Sequence, residues 1–241
     1  YLMFNQDIVI GRRLVPIQKL HYYVLPGKFG NLADHIAFSK MFNFWKQQWE
    51  PLVKSLSKKT QLDSDEFLRQ FEITALVYEN EVVGLLGLDL FDLNNPVHMK
   101  HSYFSWLADE NHSVFKDFGI SLVINQLAVS KLWRGEYGVA DLLVGLAVKR
   151  MISGPFQRTI CYTRNLRRTD SLAERWGARA ILKEQLVHNE PSTYFEFPKD
   201  CLILSSHTLK PVVEWLWQEA SSNNRVILNT ININTKKGEL Y

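Results

Sequence analysis

The chain has 241 residues, a net charge of +3 and 46% hydrophobic residues, a composition that fits one α/β domain with a sizeable core. So small a positive charge excludes a domain-wide basic stripe for nucleic acid, and the longest apolar stretch, Ala140 to Ile152, is too short to span a membrane. The cysteines, Cys161 and Cys201, show no zinc-like spacing with histidines, so we expect free thiols and no metal. A cytoplasmic location is the expectation.

The first third of the chain predicts a strand followed by helices. His21 to Leu25 is β-like and ends at Pro26-Gly27, a turn signal. Asp34 is expected to cap a helix whose apolar residues recur at steps of three and four, and a second, short helix is predicted from Asp65 to Phe71. The first helix carries an aromatic stripe of Phe42, Trp45 and Trp49, read as core or as the border of an apolar acceptor pocket.

The middle of the chain contains the clearest strand signals. Ile73 to Tyr78 and Val82 to Leu90 predict a hairpin, and Ile120 to Val129 predicts a further strand. The segment Asn94 to Phe118, with three histidines, reads as a long, partly ordered excursion. Ala140 to Ile152 predicts an amphipathic helix.

The last third continues the alternation of strands and helices. Arg158 to Thr163 predicts a strand and Thr169 to Trp176 a short helix. Arg179 to His188 and Thr193 to Phe197 predict a hairpin around Asn189-Glu190-Pro191. The order predicts an α/β fold, a mixed sheet with helices on both faces. We expect one domain over residues 1–200, with its core at 71–197, and a C-terminal extension over 201–241 with one amphipathic helix, packed on that domain.

The segment Leu127 to Leu143 carries the strongest functional signal. It predicts a buried strand that runs into a glycine turn, which opens an amphipathic helix. The first N–H groups of a helix have no partner within it, and the helix dipole places partial positive charge there. Because glycine lets the backbone approach an anion closely, this arrangement predicts a pyrophosphate site.

With these residues the chain resembles the GNAT superfamily of N-acetyltransferases, as a divergent member. Gly138-Val139-Ala140 fits the second half of that superfamily's pyrophosphate loop, while Arg134 lies one residue too far upstream and Gly135 occupies the usual basic position. Tyr162-Thr163-Arg164-Asn165 also resembles the strand and asparagine that follow the loop in that superfamily. The resemblance implies a splayed central sheet and acetyl-CoA or another acyl-CoA as cosubstrate, without a metal. The residues implied in binding it are Leu127, Ala128, Val129, Arg134, Gly135, Glu136, Tyr137, Gly138, Val139, Ala140 and Asn165.

The same resemblance implies direct attack of an amine on the thioester, with the Leu127 or Ala128 backbone N–H facing the thioester oxygen. Asn125 is the candidate that positions the acceptor or a water, and strand alternation predicts that it shares a face with Leu127 and Val129. Tyr162 is the candidate acid for the leaving thiolate.

Other residues offer weaker catalytic candidates. Ala173 stands where many superfamily members have a tyrosine acid. Glu72 reads as a surface carboxylate or a proton relay through water. Cys161 reads as a buried inert thiol, because no base is predicted beside it.

Three functions remain open at this stage. The first is acetyl transfer to the primary amine of a small molecule or a protein. The second is long-chain acyl transfer similar to that of N-acyl amino acid and acyl-homoserine lactone synthases, with an acyl carrier protein as donor. The third is a non-catalytic acyl-CoA-binding module. A homodimer is possible in each case.

Overall fold

The computed structural model describes residues 7–27, 35–56, 62–165, 169–187, 189–204 and 207–228. A hairpin of β1 (Asp7–Ile10) and β2 (Arg13–Pro16) precedes the main sheet. The strands of that sheet are β3 (Leu20–Pro26), β4 (Glu72–Tyr78), β5 (Glu81–Asp92), β6 (Ile120–Val129), β7 (Arg158–Arg164), β8 (Arg179–Val187) and β9 (Glu190–Pro198). The α-helices in this part of the chain are α1 (His35–Leu56), α2 (Asp65–Leu68), α3 (Pro96–Met99), α4 (Val139–Ile152), α5 (Thr169–Arg175), α6 (Cys201–Leu204) and α7 (Lys210–Ser222).

The main sheet has the strand order β3-β4-β5-β6-β7-β9-β8. Only β6 and β7 run parallel, and their registered pairing joins Ser121–Val123 to Arg158–Ile160. Since β6 continues to Val129 and β7 to Arg164, the two strands separate beyond this short contact. The predicted α/β fold with a splayed mixed sheet is confirmed.

Helices cover both faces of the sheet. Helix α4 packs against β4, β5, β6 and β7 on one face, and α7 packs beside it against β3. On the opposite face α1 packs against β5 and β6, and the core there contains Trp45 of α1 and Phe67 of α2. Gly84 of β5 permits the close approach of α4, because a Cβ there would lie 2.3 Å from Val139 Cγ1. Within the described ranges no helix is long and apolar enough to cross a membrane.

The segment Asn94 to Phe118 is ordered by its own aromatic core. It contains α3 and a 3-10 turn at Asp109–Phe115, and its aromatic rings pack with Val123, Ile160 and Tyr194. His98 Nδ1 accepts a hydrogen bond from the Asp92 N–H, and His101 Nδ1 accepts one from the Tyr103 N–H. His98 therefore ties the excursion to the end of β5, and His101 stabilises a turn within the excursion.

The chain after α7 lies along the edge strand β3. The Val24 N–H donates to the Arg225 carbonyl at 2.9 Å, and the Ile227 N–H donates to the Val24 carbonyl at 2.9 Å. Together with α7, this contact joins residues 225–227 to the sheet.

The structure differs from the sequence-based expectation at the β8–β9 turn and at the N-terminal hairpin. Glu190 and Pro191 belong to β9 and not to the turn, with Pro191 opposite Leu186. A proline fits here because β9 begins to pair with β7 only at Ser192, so no ladder partner needs the missing N–H. The β1–β2 hairpin was not predicted, although Gly11 between two short apolar runs is a turn signal for it. The expected helix cap, Asp34, lies outside the described residues.

Candidate active site

The separation of β6 and β7 opens a cavity of about 520 Å³. Ile124 and Cys161, the residues that follow the last β6–β7 pair, line it where the two strands begin to separate. Gln48, Trp49 and Leu52 of α1 line it on one face of the sheet. From the other face it is lined by α4 and α5, through Ala140, Val144, Leu172 and Ala173. The cavity is therefore bordered by helices from both faces of the sheet.

A β-bulge shapes the β6 wall of this cavity. Gln126 and Leu127 stand opposite the single residue Leu86, and Gln126 has a φ of +50°. A bulge leaves backbone polar groups outside the ladder, and a left-handed residue other than glycine is strained. The Gln126 carbonyl accepts a hydrogen bond from Trp49 Nε1 at 3.4 Å. Backbone N–H groups near Leu127 are thus released from the sheet at the point where β7 no longer pairs.

The bulge overturns the predicted facing of Asn125. Leu127 and Val129 pack into the core beneath α4. Asn125 and Gln126 instead make their side-chain hydrogen bonds on the α1 and α2 face, to Asp89 and to the Glu66 carbonyl. The expectation that Asn125 shares a face with Leu127 and Val129 is wrong, because the extra residue shifts the alternation by one position.

The predicted phosphate loop lies at the α4 side of the cavity. Gly135 has a φ of +143° and Tyr137 a φ of +53°, and Gly138 is the N-cap of α4. None of the described residues accepts a hydrogen bond from the backbone N–H groups of residues 135–140. These amides and the helix dipole provide what the phosphates of a CoA need, so the residues present fit such a ligand.

Buried charges hold this loop in place. The Asp141 carboxylate accepts hydrogen bonds from Arg175 at 2.9 and 3.1 Å and pairs with His207 Nε2 at 3.0 Å. Because His207 Nδ1 accepts from the Leu209 N–H, Nε2 carries the proton that points at Asp141. The Tyr137 ring packs against both Arg175 and His207. The segment that follows β9 thereby supports the loop.

Arg134 does not extend along the loop. Its Nε donates to the Val129 carbonyl at 3.0 Å, and its Nη2 donates to Gln48 Oε1 at 3.4 Å. The guanidinium thus lies over the end of β6, in the wall of the cavity. The residue that is displaced in the sequence motif is also displaced from the loop amides in space.

Tyr162 and Ala173 both line the cavity. The Tyr162 ring packs against Tyr103 and Tyr194, and burial raises the pKa of its hydroxyl, which holds it protonated. Burial also raises the pKa of the Cys161 thiol to about 12, so the thiol is not a nucleophile near neutral pH.

The side chain of Asn165 is already hydrogen-bonded to other protein groups. Its Nδ2 donates to Glu184 Oε1 at 2.9 Å, and its Oδ1 accepts from Thr193 Oγ1 at 3.0 Å. Both polar ends of the side chain bind the β8–β9 hairpin, so a cofactor contact from Asn165 would require these bonds to break.

Glu72 is neither a surface carboxylate nor a solvent relay. It is fully buried and binds the Arg150 guanidinium of α4 through two hydrogen bonds of 2.8 and 2.7 Å. In the described part of the chain no group of three or more potential ligands could hold a metal ion.

Asp89 of β5 is a residue that the sequence reading missed. Its buried carboxylate accepts a hydrogen bond from Asn125 Nδ2 at 2.6 Å. Burial raises its pKa to about 6, although Arg69, Asn125 and the Phe71 N–H each act to lower it. A lone carboxylate within the apolar strand Gly84 to Phe91 is a sequence signal that points to it.

We expect the substitution Asp89→Asn to stabilise the fold at neutral pH. The folded-state pKa is raised, so the folded chain binds this proton more tightly than the unfolded chain, and stability falls as pH rises from about 4 to 6. A shift of this size corresponds to roughly 2–3 kcal/mol above pH 6. Urea unfolding at pH 7.5 and pH 4 should show the gain only at pH 7.5. An equal gain in stability at pH 7.5 and at pH 4 would contradict a raised pKa of Asp89.

No protein-family model and no curated protein matches this chain, whereas several solved structures do match it. A polyamine N-acetyltransferase of Drosophila melanogaster superposes with a TM-score of 0.54 at 12% identity, over 74% of this chain and 99% of that one. An apo agmatine N-acetyltransferase mutant gives 0.53 at 14% identity, over 75% and 99%. A CoA-dependent acyl-homoserine lactone synthase, solved with SAM and isopentyl-CoA, gives 0.53 at 12% identity, over 89% and 96%. Together with the splayed sheet, these similarities show that this protein has the GNAT fold.

Proposed function

We propose that this protein is an N-acyltransferase that moves an acyl group, most simply acetyl, from acyl-CoA to a primary amine. The observation that carries the proposal is the cavity that opens between β6 and β7. The N-terminus of α4, with its unpaired amides, borders the cavity on one face of the sheet, and α1 borders it on the other. This arrangement suits two reactants that approach the same point from opposite faces.

In this proposal the amides of residues 135–140 bind the pyrophosphate, and the pantetheine arm lies along Leu127 to Val129. A released N–H near Leu127 donates to the thioester oxygen, and one such donor is typically worth a factor of about 10²–10³ in rate. The amine attacks in its neutral form, so an acceptor that arrives as an ammonium cation first loses one proton to water. Its nitrogen then forms the C–N bond as the C–S bond breaks, and the second proton also passes to water. Tyr162 donates a proton to the leaving thiolate and recovers one from solvent.

A longer acyl chain is the second candidate. Its support is an apolar part of the cavity lining, formed by Ile124 of β6, Cys161 of β7 and Phe197 of β9. The acyl-homoserine lactone synthase also superposes over 89% of this chain. An acyl carrier protein would then be an alternative donor, and the position of Arg134 away from the loop amides is compatible with it.

The test combines binding and turnover. We expect acetyl-CoA to raise the melting temperature and free CoA to appear with at least one of a panel of polyamines, agmatine and amino acids. Tyr162→Phe should lower kcat while the affinity for acetyl-CoA is retained, and Tyr194→Phe is the matched control on the neighbouring strand. A stronger response to decanoyl-CoA or to an acyl carrier protein would favour the second candidate. Binding without turnover for every amine would indicate a non-catalytic module, and no binding of any acyl donor would refute the proposal.

A further inference from the structure

Three polar side chains, those of Gln70, Asp89 and Asn125, lie together beside the cavity, on the face of the sheet covered by α1 and α2. Gln70, just before β4, is 1% exposed, and its Oε1 has no hydrogen-bond partner. The Oδ1 of Asn125 is also buried without a partner. Both oxygens lie over Gly87, where a Cβ would be 2.5 Å from Asn125 Oδ1 and 2.6 Å from Gln70 Oε1. We call Gln70, Asn125 and Asp89 the amide cradle.

Hydrogen bonds fix which way the two amides face. Gln70 Nε2 donates to the Glu66 carbonyl at 3.0 Å, and Asn125 Nδ2 donates to Asp89 Oδ2 at 2.6 Å. Rotating either amide would place its oxygen against another acceptor. Both oxygens therefore stay over Gly87, and the NH₂ group of each amide is already engaged in a hydrogen bond of its own.

The electrostatics of the amide cradle favour a cation. No ion pair joins the Asp89 carboxylate to a cation among the described residues; Arg69 acts on it electrostatically but binds Glu66, at 2.7 Å. A buried acceptor that lacks a donor costs about 1–3 kcal/mol. Two unpaired amide oxygens with a carboxylate behind them match a group that carries several N–H donors and a positive charge.

The position of the amide cradle suits the acceptor side of the reaction. Asn125 and Gln126 line the cavity, and both point to the face opposite α4. Acyl-CoA is expected to enter from the α4 face, so the face of Asn125 is left for the second reactant. The bulge at Gln126 lies directly between Asn125 and the proposed thioester-binding N–H near Leu127.

We propose that Gln70, Asn125 and Asp89 form the subsite for the amino group of the acceptor, and that this subsite selects an unhindered primary amine arriving as its ammonium cation. The inference rests on the proposed acyl transfer and names the substrate class. Asn125 and Gln70 contact the nitrogen through their amide oxygens. Asp89 is a positioning residue that orients Asn125 and supplies the opposing charge.

The experiment follows the carboxyl carbon of Asp89 by ¹³C NMR in the whole protein as methylammonium chloride is added. Tetramethylammonium chloride, which has the same charge but no N–H donors, is the matched ligand control. We expect methylammonium to lower the pKa of Asp89 and tetramethylammonium at equal ionic strength to leave it unchanged. Arg69 and Glu66 are the other charged groups that act on this carboxyl, and they experience both salts alike.

Substitutions separate the amide cradle from the fold. Because Asp89→Asn removes the carboxyl observed by NMR, methylammonium binding to the variants is measured by isothermal titration calorimetry at pH 7.5, where Asp89→Asn should weaken it by about tenfold, as expected for a lost charged hydrogen-bond network. Gly87→Ala should abolish it, because the added Cβ displaces both amide oxygens. Thr74→Val, a buried polar change whose hydroxyl binds the Leu86 carbonyl, should leave it unchanged.

Two outcomes would refute the proposal that the amide cradle binds an amine. One is an equal effect of methylammonium and tetramethylammonium on the pKa of Asp89, and the other is wild-type affinity of Asp89→Asn for methylammonium. Misfolding is not an explanation for a loss in Asp89→Asn, since that variant is expected to be the more stable at this pH. Acetyl-CoA binding is measured on the same samples. If acetyl-CoA binds but the expected effects of methylammonium fail, the subsite alone is refuted. If acetyl-CoA does not bind, the proposed acyl transfer is refuted as well.

Discussion

Replacing Glu72 with leucine should lower the free energy of unfolding by about 3–5 kcal/mol, because Arg150 would keep a buried charge without its partner. The Glu72 carboxylate is fully buried, the Arg150 side chain is 3% exposed, and two hydrogen bonds join them. For a chain of this size the loss corresponds to a fall of roughly 10 °C in the melting temperature. Urea unfolding followed by tryptophan fluorescence measures it.

Two controls accompany this variant. Glu79→Gln breaks the exposed ion pair with Lys19 and should leave stability nearly unchanged. The double variant Glu72→Leu with Arg150→Met removes both charges, and most of the lost stability should return. A Glu72→Leu protein as stable as wild type would show that β4 and α4 are not joined by this pair.

Replacing Gly138 with valine should weaken acetyl-CoA binding by about 10- to 100-fold, since one hydrogen bond to a charged group contributes about 1.5–3 kcal/mol. A Cβ at Gly138 would lie 2.8 Å from the Gly135 carbonyl oxygen and 3.0 Å from that of Trp133. Both contacts are to backbone, so the loop must move and its amides lose their alignment. Isothermal titration calorimetry with acetyl-CoA measures the change.

The matched control for Gly138→Val is Glu136→Ala, which alters an exposed side chain of the same loop and keeps every amide. We expect it to bind acetyl-CoA as tightly as wild type or more tightly, because a negative charge is removed near the phosphates. Urea unfolding of both variants separates a loop effect from a global one. If Gly138→Val binds acetyl-CoA as tightly as wild type, the loop is not part of the acetyl-CoA site.

The sequence was sufficient for the parts of the fold that depend on local pattern. Ile120 to Val129 was predicted with the bounds that the structure has, and the predicted helix from Ala140 starts one residue earlier, at Val139. Both segments combine a clear apolar period with glycine or proline boundaries. The splay between β6 and β7 came from the resemblance of the loop motif and not from periodicity.

The site beyond the loop depends on tertiary contacts that a sequence does not display. A bulge at Gln126 changes the side of the sheet that Asn125 faces, and no residue pattern in β6 signals it. The partner of Glu72 lies 78 residues away, in α4. Asp89 alone had a readable signal, as a carboxylate in an apolar strand.

We propose that acyl-CoA binds between β6 and β7 with its pyrophosphate at the N-terminus of α4. A crystal structure of the protein grown with acetyl-CoA is the decisive test. We expect phosphate density within hydrogen-bond distance of the amides of residues 135–140 and a pantetheine arm along Leu127 to Val129. An acetyl-CoA bound elsewhere, or a cavity that stays empty at saturating acetyl-CoA, would contradict it.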